Sequence, residues 1–257
     1  MIYYISPLLE SVGVPHVFST RVGGVSPPPF DSLNLGNPSG TDIKDEWTNI
    51  YKNYARLQSA IGCADRARSW VHQVHAGDVV HCEGSFESGA KADALVTSEA
   101  ERLLSVRVAD CAPLLLSSDD GKIVAAVHAG WRGVLARVVA NAVAEMGCSG
   151  SKIVAAIGPC IGFDTFEVGP EVLEAFDGEF GSDAAVRREA DGKGFVDLKA
   201  ALAIQLRRIG VNQIDSTDRC TFKYADEFFS HRRDKGVTGR MAAMIGPKAY
   251  PCLSTPE

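Results

Sequence analysis

Apolar and polar positions alternate in two rhythms along this chain. Residues 16–20 (HVFST), 69–82 (SWVHQVHAGDVVHC), 92–97 (ADALVT), 103–108, 113–116, 122–129 (KIVAAVHA) and 239–246 (GRMAAMIG) are short apolar or alternating runs bounded by turn residues, and they predict strands. Trp47, Ile50, Tyr54, Leu57 and Ile61 recur at helical spacing and predict a helix from about 45 to 60. The run 130–147 (GWRGVLARVVANAVAEMG) predicts a helix that ends at Gly147, Pro170 opens another, and Leu198, Leu202, Leu206 and Ile209 mark one more, with Gly210 as its stop. Residues 152–162 (KIVAAIGPCIG) read as a strand entering a Gly-rich turn. Residues 22–40, rich in Gly, Pro, Ser and Asn, read as an ordered loop. Strands and helices alternate only in part, which points to an α+β fold with mixed sheets.

The chain has 257 residues, 46% of them apolar, enough for one substantial core. The net charge of -6 and the absence of basic runs argue against a nucleic-acid partner. No stretch approaches the roughly 18 apolar residues of a membrane span, and the N-terminus lacks the pattern of a signal peptide. Seven scattered cysteines (Cys63, Cys82, Cys111, Cys148, Cys160, Cys220 and Cys252) form no CxxC pair, so the expected setting is a reducing cytoplasm rather than a disulfide framework.

The chemistry gathers at the ends of the predicted strands. His75 in WVHQVHAG, Cys111 in VADCAP and His128 in VHAGWRG offer two nitrogens and a thiolate, a donor set suited to a zinc ion with one open position. The same residues also suit a thiolate–imidazolium pair, with Cys111 as nucleophile and Asp110 as orienting or proton-transferring group. Cys160, in GPCIG, is a weaker candidate nucleophile, without a histidine in its own turn. Arg21, in STRVGG, with neighbouring glycine amides, is a candidate phosphate site, and Arg132 a second option. Asn34 and Gln73 are candidates for hydrogen bonds to a ribose or base. Nucleotide-binding P-loops, dinucleotide fingerprints, HExxH and GxSxG are absent.

The segments at 16–36, 73–80, 92–97, 108–134, 157–169 and 220–246 follow in an order that resembles the laccase-domain, or multicopper polyphenol oxidase, family, also called purine nucleoside phosphorylase-like. ADC and HAGWRG at this separation are its most specific marks, and the likeness runs nearly end to end. The resemblance implies a single α+β domain over 1–257, with packed mixed sheets and helices outside (α/β/β/α). It implies zinc on His75, Cys111 and His128, selecting His75 over His72. It also implies purine nucleosides and phosphate as substrates: phosphorolysis of adenosine, inosine, guanosine and methylthioadenosine, and deamination of adenosine. Ala76 departs from the family's usual glycine. A multicopper oxidase needs about ten histidines, many in HxH pairs; this chain has six and no HxH. A lone copper in a polyphenol oxidase, a Cys-His hydrolase that edits cell-wall precursors, and a nucleoside-binding protein without turnover are the alternatives. Monomer and dimer both remain open.

Overall fold

A computed structural model of the chain describes residues 1–248. Cys252 lies outside the described residues. Among the described residues fourteen strands occur in chain order: β1 Tyr3–Tyr4, β2 His16–Ser19, β3 Ala67–Trp70, β4 Val79–His81, β5 Ala94–Thr97, β6 Arg102–Val108, β7 Ala112–Ser118, β8 Val124–Ala129, β9 Ile153–Ile157, β10 Glu167–Val168, β11 Val186–Arg188, β12 Gly194–Val196, β13 Gln213–Ser216 and β14 Met241–Ile245. The helices are α1 Pro7–Val12, α2 Trp47–Ala60, α3 Trp131–Leu135, α4 Val138–Glu145, α5 Pro170–Phe180 and α6 Leu198–Arg208.

Two mixed sheets stack face to face. One has the order β1-β2-β14-β6-β3, the other β13-β9-β7-β8-β5-β4. Alternation along each strand decides which side chains fill which layer. On β7, Leu115 enters the core between the sheets, while Ala112, Leu114 and Leu116 point to the helices. On β8, Val124 and Ala126 face inward, and Ala125, Val127 and Ala129 outward. Leu104, Val106, Ala243 and Ile245 meet them from the other sheet. Helices α3 to α6 cover the six-stranded sheet. Ile50, Tyr54 and Leu57 of α2 cover the outer face of the five-stranded one, against Leu103 and Met244. The layers are therefore α/β/β/α, with a small β10-β12-β11 sheet at the side.

Three features differ from the sequence pattern. Residues 69–82 do not form one continuous strand: β3 and β4 are separated by a loop, because each belongs to a different sheet. The helix expected over 130–147 breaks into α3 and α4 at Arg137, whose φ of 56° is left-handed. The break lets Asn141 Nδ2 donate to Gly77 O at 2.8 Å, which docks the 71–78 loop on the helix corner. Helix α1 carried readable signals, since Ser6 caps Leu9 N–H, Pro7 opens the first turn and Gly13 closes it at φ 84°. At six residues it is too short for periodicity to reveal.

The loop from β2 to α2 has no regular structure, yet it is ordered by a buried polar network. Asp45 Oδ2 accepts from Ser26 Oγ (2.5 Å) and Asn34 Nδ2 (2.9 Å). Asn53 Nδ2, on α2, donates to Asn34 O (2.9 Å) and Ser26 Oγ (2.9 Å), while its Oδ1 accepts from Val25 N (2.9 Å). Asn53 is fully buried, so its removal leaves several polar groups without partners. Asn53→Ala is expected to cost about 1–3 kcal/mol in urea unfolding and to speed amide exchange in residues 22–40.

Candidate metal centre

The centre forms where strands of the six-stranded sheet end together. β7 and β8 pair antiparallel, with Ala112 opposite Ala129 and Pro113 opposite His128. Cys111 therefore stands just before β7, beside the end of β8. Asp93 precedes β5 and accepts His128 N–H through its backbone carbonyl at 2.8 Å. The loop 71–78 brings His75 over the same edge. Asp110–Cys111 lies where the chain leaves β6 in one sheet and enters β7 in the other. The break in the apolar run is this crossing, and Asp110 makes the corner at φ 90°.

His75, Cys111 and His128 come together, with their donor atoms all within 4.8 Å of one another. Cys111 Sγ lies 3.8 Å from His75 Nε2, and the two imidazole rings meet edge to face at 4.9 Å. Bonds of about 2.0–2.3 Å to one ion hold donors roughly 3.5 Å apart, so no pair of the triad is wider than that by more than about 1.3 Å. Gly130 makes room for it: a Cβ there would stand 3.0 Å from both Cys111 Sγ and His75 Cδ2. The donor set and the cleared space both fit a metal ion. It is the one cluster of three such donors among the described residues.

Asp93 holds the triad in place, and its role was not anticipated from the sequence. Fully buried, it accepts His128 Nδ1 at 2.7 Å, and the backbone N–H groups of Val74 (3.2 Å), His75 (3.0 Å) and Ala76 (2.7 Å). The loop curls around the carboxylate, which sets His75 at a left-handed φ of 61°. Ala76 takes an ordinary φ while donating to Asp93, so its departure from glycine costs no strain. With Nδ1 bound to Asp93, His128 turns Nε2 toward the thiol. The signal in the sequence was an acid leading an apolar strand, Asp93 in ADALVT.

The electrostatics follow from this geometry. Burial pushes the Asp93 carboxyl up, but the His128 hydrogen bond and the Ala76 and His75 amides outweigh it and hold the pKa below the usual range. Burial also raises the Cys111 thiol, yet His128 and His75 bring it down to about 6. Burial lowers His128, whereas the Cys111 and Asp93 charges lift it to about 9. The Cys160 thiol, with no such partners, is driven by burial to about 12. All six cysteines among the described residues are free.

The other anticipated site residues have internal tasks. Asp110 is not poised as a free proton carrier: its oxygens accept from Thr221 Oγ1 (2.6 Å) and Arg232 N (2.7 Å), pinning the crossing. Arg21 donates to Asp31 Oδ1, Asp31 O and Ala225 O and stacks over Phe229, so it staples the loop. Asn34 Oδ1 accepts Arg240 N (2.9 Å) and Gly36 N (3.1 Å). Gln73 pairs through both side-chain atoms with the backbone of Arg107, at 2.7 and 2.8 Å. These hydrogen bonds tie each of the four side chains to the fold.

A four-layer α/β/β/α fold with a two-histidine, one-thiol cluster at the end of its central strands defines the class. Residues 15–248 match the family model described as multi-copper polyphenol oxidoreductase laccase, and the chain belongs to that family. A Shigella flexneri protein named purine nucleoside phosphorylase YfiH is 40% identical over 233 residues, covering 91% of this chain and 93% of that protein. A Deinococcus radiodurans purine nucleoside phosphorylase is 38% identical over 246 residues, covering 93% and 92%. Among solved structures, YlmD from Geobacillus stearothermophilus aligns with a TM-score of 0.86 at 31% identity, over 95% of this chain and 94% of that one. A Neisseria meningitidis protein aligns at 0.84 and 35%, over 92% and 95%. Among the described residues no helix is long and apolar enough to cross a membrane.

The charge state sets how a metal would load. Between pH about 6 and about 9 the pair is thiolate and imidazolium, so an incoming ion must displace the His128 proton. Zinc uptake at pH 7 is expected to release about one proton from His128, measurable by calorimetry in buffers of different ionisation enthalpy. Affinity should rise with pH toward 9 and fall more steeply below 6, where Cys111 also takes a proton. Asp93→Asn is expected to weaken zinc binding by about 10–100-fold, read by competition with a chromophoric chelator.

Proposed function

We propose that the chain is a zinc-dependent purine nucleoside phosphorylase that converts adenosine, inosine, guanosine and methylthioadenosine, and that also deaminates adenosine. The observation that carries this reading is the end-to-end similarity to relatives that bear the phosphorylase name, and the three-donor cluster supplies a site for it. The cytoplasm, with free thiols, is the proposed setting.

His75, Cys111 and His128 would hold the zinc ion. Bound by three protein donors, zinc supplies Lewis acidity at a fourth, open position at neutral pH. The residues supply orientation. Asp93 fixes the His128 ring and the backbone before and after His75, so neither donor has to search for its geometry. In this reading Cys111 acts as a ligand, with imidazoles on two sides of its sulfur. Asp110 acts by holding the turn that presents Cys111.

A second reading is a copper-dependent polyphenol oxidase, favoured by the two-histidine, one-cysteine donor set, which copper also accepts. A multicopper cluster needs further histidines. The others are dispersed: His16 is buried between Val14 O and Ser6 N, and His81 pairs with Glu145.

Adenosine with phosphate is expected to yield adenine and ribose 1-phosphate, and without phosphate inosine, by chromatography of the products. Conversion of no purine nucleoside by zinc-loaded protein would refute the reading, and blue copper-dependent oxidation of phenols would favour the oxidase.

Cys111→Ser should abolish both metal binding and turnover, because a hydroxyl is a far poorer zinc ligand than a thiolate. Cys160→Ser should retain most of both. Stripping the metal with a chelator should stop turnover and zinc should restore it, whereas a metal-free Cys-His hydrolase would survive the treatment.

A further inference from the structure

Two arginines beside the metal centre lack the partners that half-buried guanidinium groups ordinarily have. Arg107, in β6, donates no side-chain hydrogen bond among the described residues, and its guanidinium lies over the Trp70 ring at 5.6 Å. Arg240, just before β14, donates from Nη1 to Thr238 O and Gly239 O, both at 3.0 Å. Among the described residues neither has a carboxylate at ion-pairing distance, whereas Arg21 is paired with Asp31.

The two are brought together by the fold. Arg107 pairs with Ala242 across the β6–β14 ladder, and Arg240 lies two residues before Ala242, so both stand on one face at one end of the sheet. Both stems pack on Gly36: a Cβ there would lie 2.9 Å from Arg107 Cδ and 3.5 Å from Arg240 Cγ. Burial pulls the Arg240 pKa down, the Cys111 charge raises it, Arg107 lowers it and Asp110 raises it again. Arg240 therefore lies within electrostatic reach of Cys111. Gln73 clamps the backbone of Arg107, two residues before the ligand His75, and Asn34 accepts the backbone N–H of Arg240. Two adjacent like charges with no ion pair among the described residues form a site for a doubly charged oxyanion, which accepts from both guanidinium groups.

The geometry points to Arg107 and Arg240 as the binding site for inorganic phosphate, with Gln73 and Asn34 as positioning residues. The assignment to phosphate as co-substrate rests on the phosphorylase reading. One oxygen of monohydrogen phosphate forms the bond to the nucleoside C1′. The bond from C1′ to the purine nitrogen breaks, its electron pair leaves on the base, and the phosphate proton ends on that nitrogen. The arginines hold the anion in place through the exchange.

The test is equilibrium dialysis of labelled inorganic phosphate against zinc-loaded protein, with KM for phosphate measured in parallel. Arg107→Gln and Arg240→Gln are each expected to weaken phosphate binding about tenfold or more, with the nucleoside KM little changed. Lys193→Gln, at an exposed pair with Glu167, should bind as the parent does. Gln73→Ala should raise the phosphate KM by about threefold or more at unchanged kcat and full zinc content. On the unmutated protein, phosphate should protect Arg107 and Arg240 from phenylglyoxal, read by mass spectrometry, where chloride at equal ionic strength does not. Absence of saturable phosphate binding, affinities within twofold of the parent in both arginine variants, equal phenylglyoxal labelling, or binding of adenosine 5′-monophosphate alone would overturn the site. Arginine-dependent phosphate binding without nucleoside cleavage leaves the site standing and removes the phosphorylase reading. Phosphorolysis with an unaltered phosphate KM in both variants does the reverse.

Discussion

The buried carboxylate of Asp93 is the interaction on which the site depends. A fully buried charge is tolerated only where several donors converge on it, and here three consecutive backbone amides and one imidazole do so. The same four bonds that keep Asp93 ionised orient His128 and bend the loop that carries His75. One acid therefore organises two of the three candidate metal donors. The third, Cys111, is delivered by the crossing between the sheets, and Asp110 anchors that crossing to Thr221 and Arg232.

This arrangement explains why acidic and amide side chains near the centre act on the protein rather than on a ligand. Asp93, Asp110, Asn34 and Gln73 each spend their polar atoms on backbone or on a neighbouring side chain. Their effect is to fix where the imidazoles, the thiolate and the two arginines stand. Preorganisation of this kind removes the cost of gathering like-charged or strained groups at the moment a ligand arrives. The left-handed backbone at His75 and Asp110 is part of it: strain of about 1–3 kcal/mol per such residue persists only where surrounding bonds enforce it.

The stacking of two sheets places these groups at one rim. Arg107 in β6 and Arg240 just before β14 stand at the end of one sheet, while the loop that carries His75, the residues leading into β5 and β7, and the end of β8 bring the triad and its acid to the rim of the other. The core between the sheets, from Leu104 and Val106 to Leu115 and Ala126, sets the distance between the two sets. Close packing of this kind transmits small shifts, so the centre depends on residues that never touch it.

The sequence by itself pointed to most strands of the two sheets, though not to β1 or β13, to the longer helices, and to His75, Cys111 and His128 as candidate donors. Apolar alternation is a local signal, and the histidines and cysteine stand at breaks in it. The family likeness supplied the choice of His75 over His72. Tertiary structure alone decided that β3 and β4 belong to different sheets, that the helix after His128 breaks at Arg137, and that Asp93 is the acid behind the triad. It also decided that, among the described residues, Arg21 has an ion-pair partner while Arg107 and Arg240 have none. Those outcomes depend on which groups meet across tens or hundreds of residues, where a buried polar atom takes the nearest partner that the fold provides, and no local pattern records that choice.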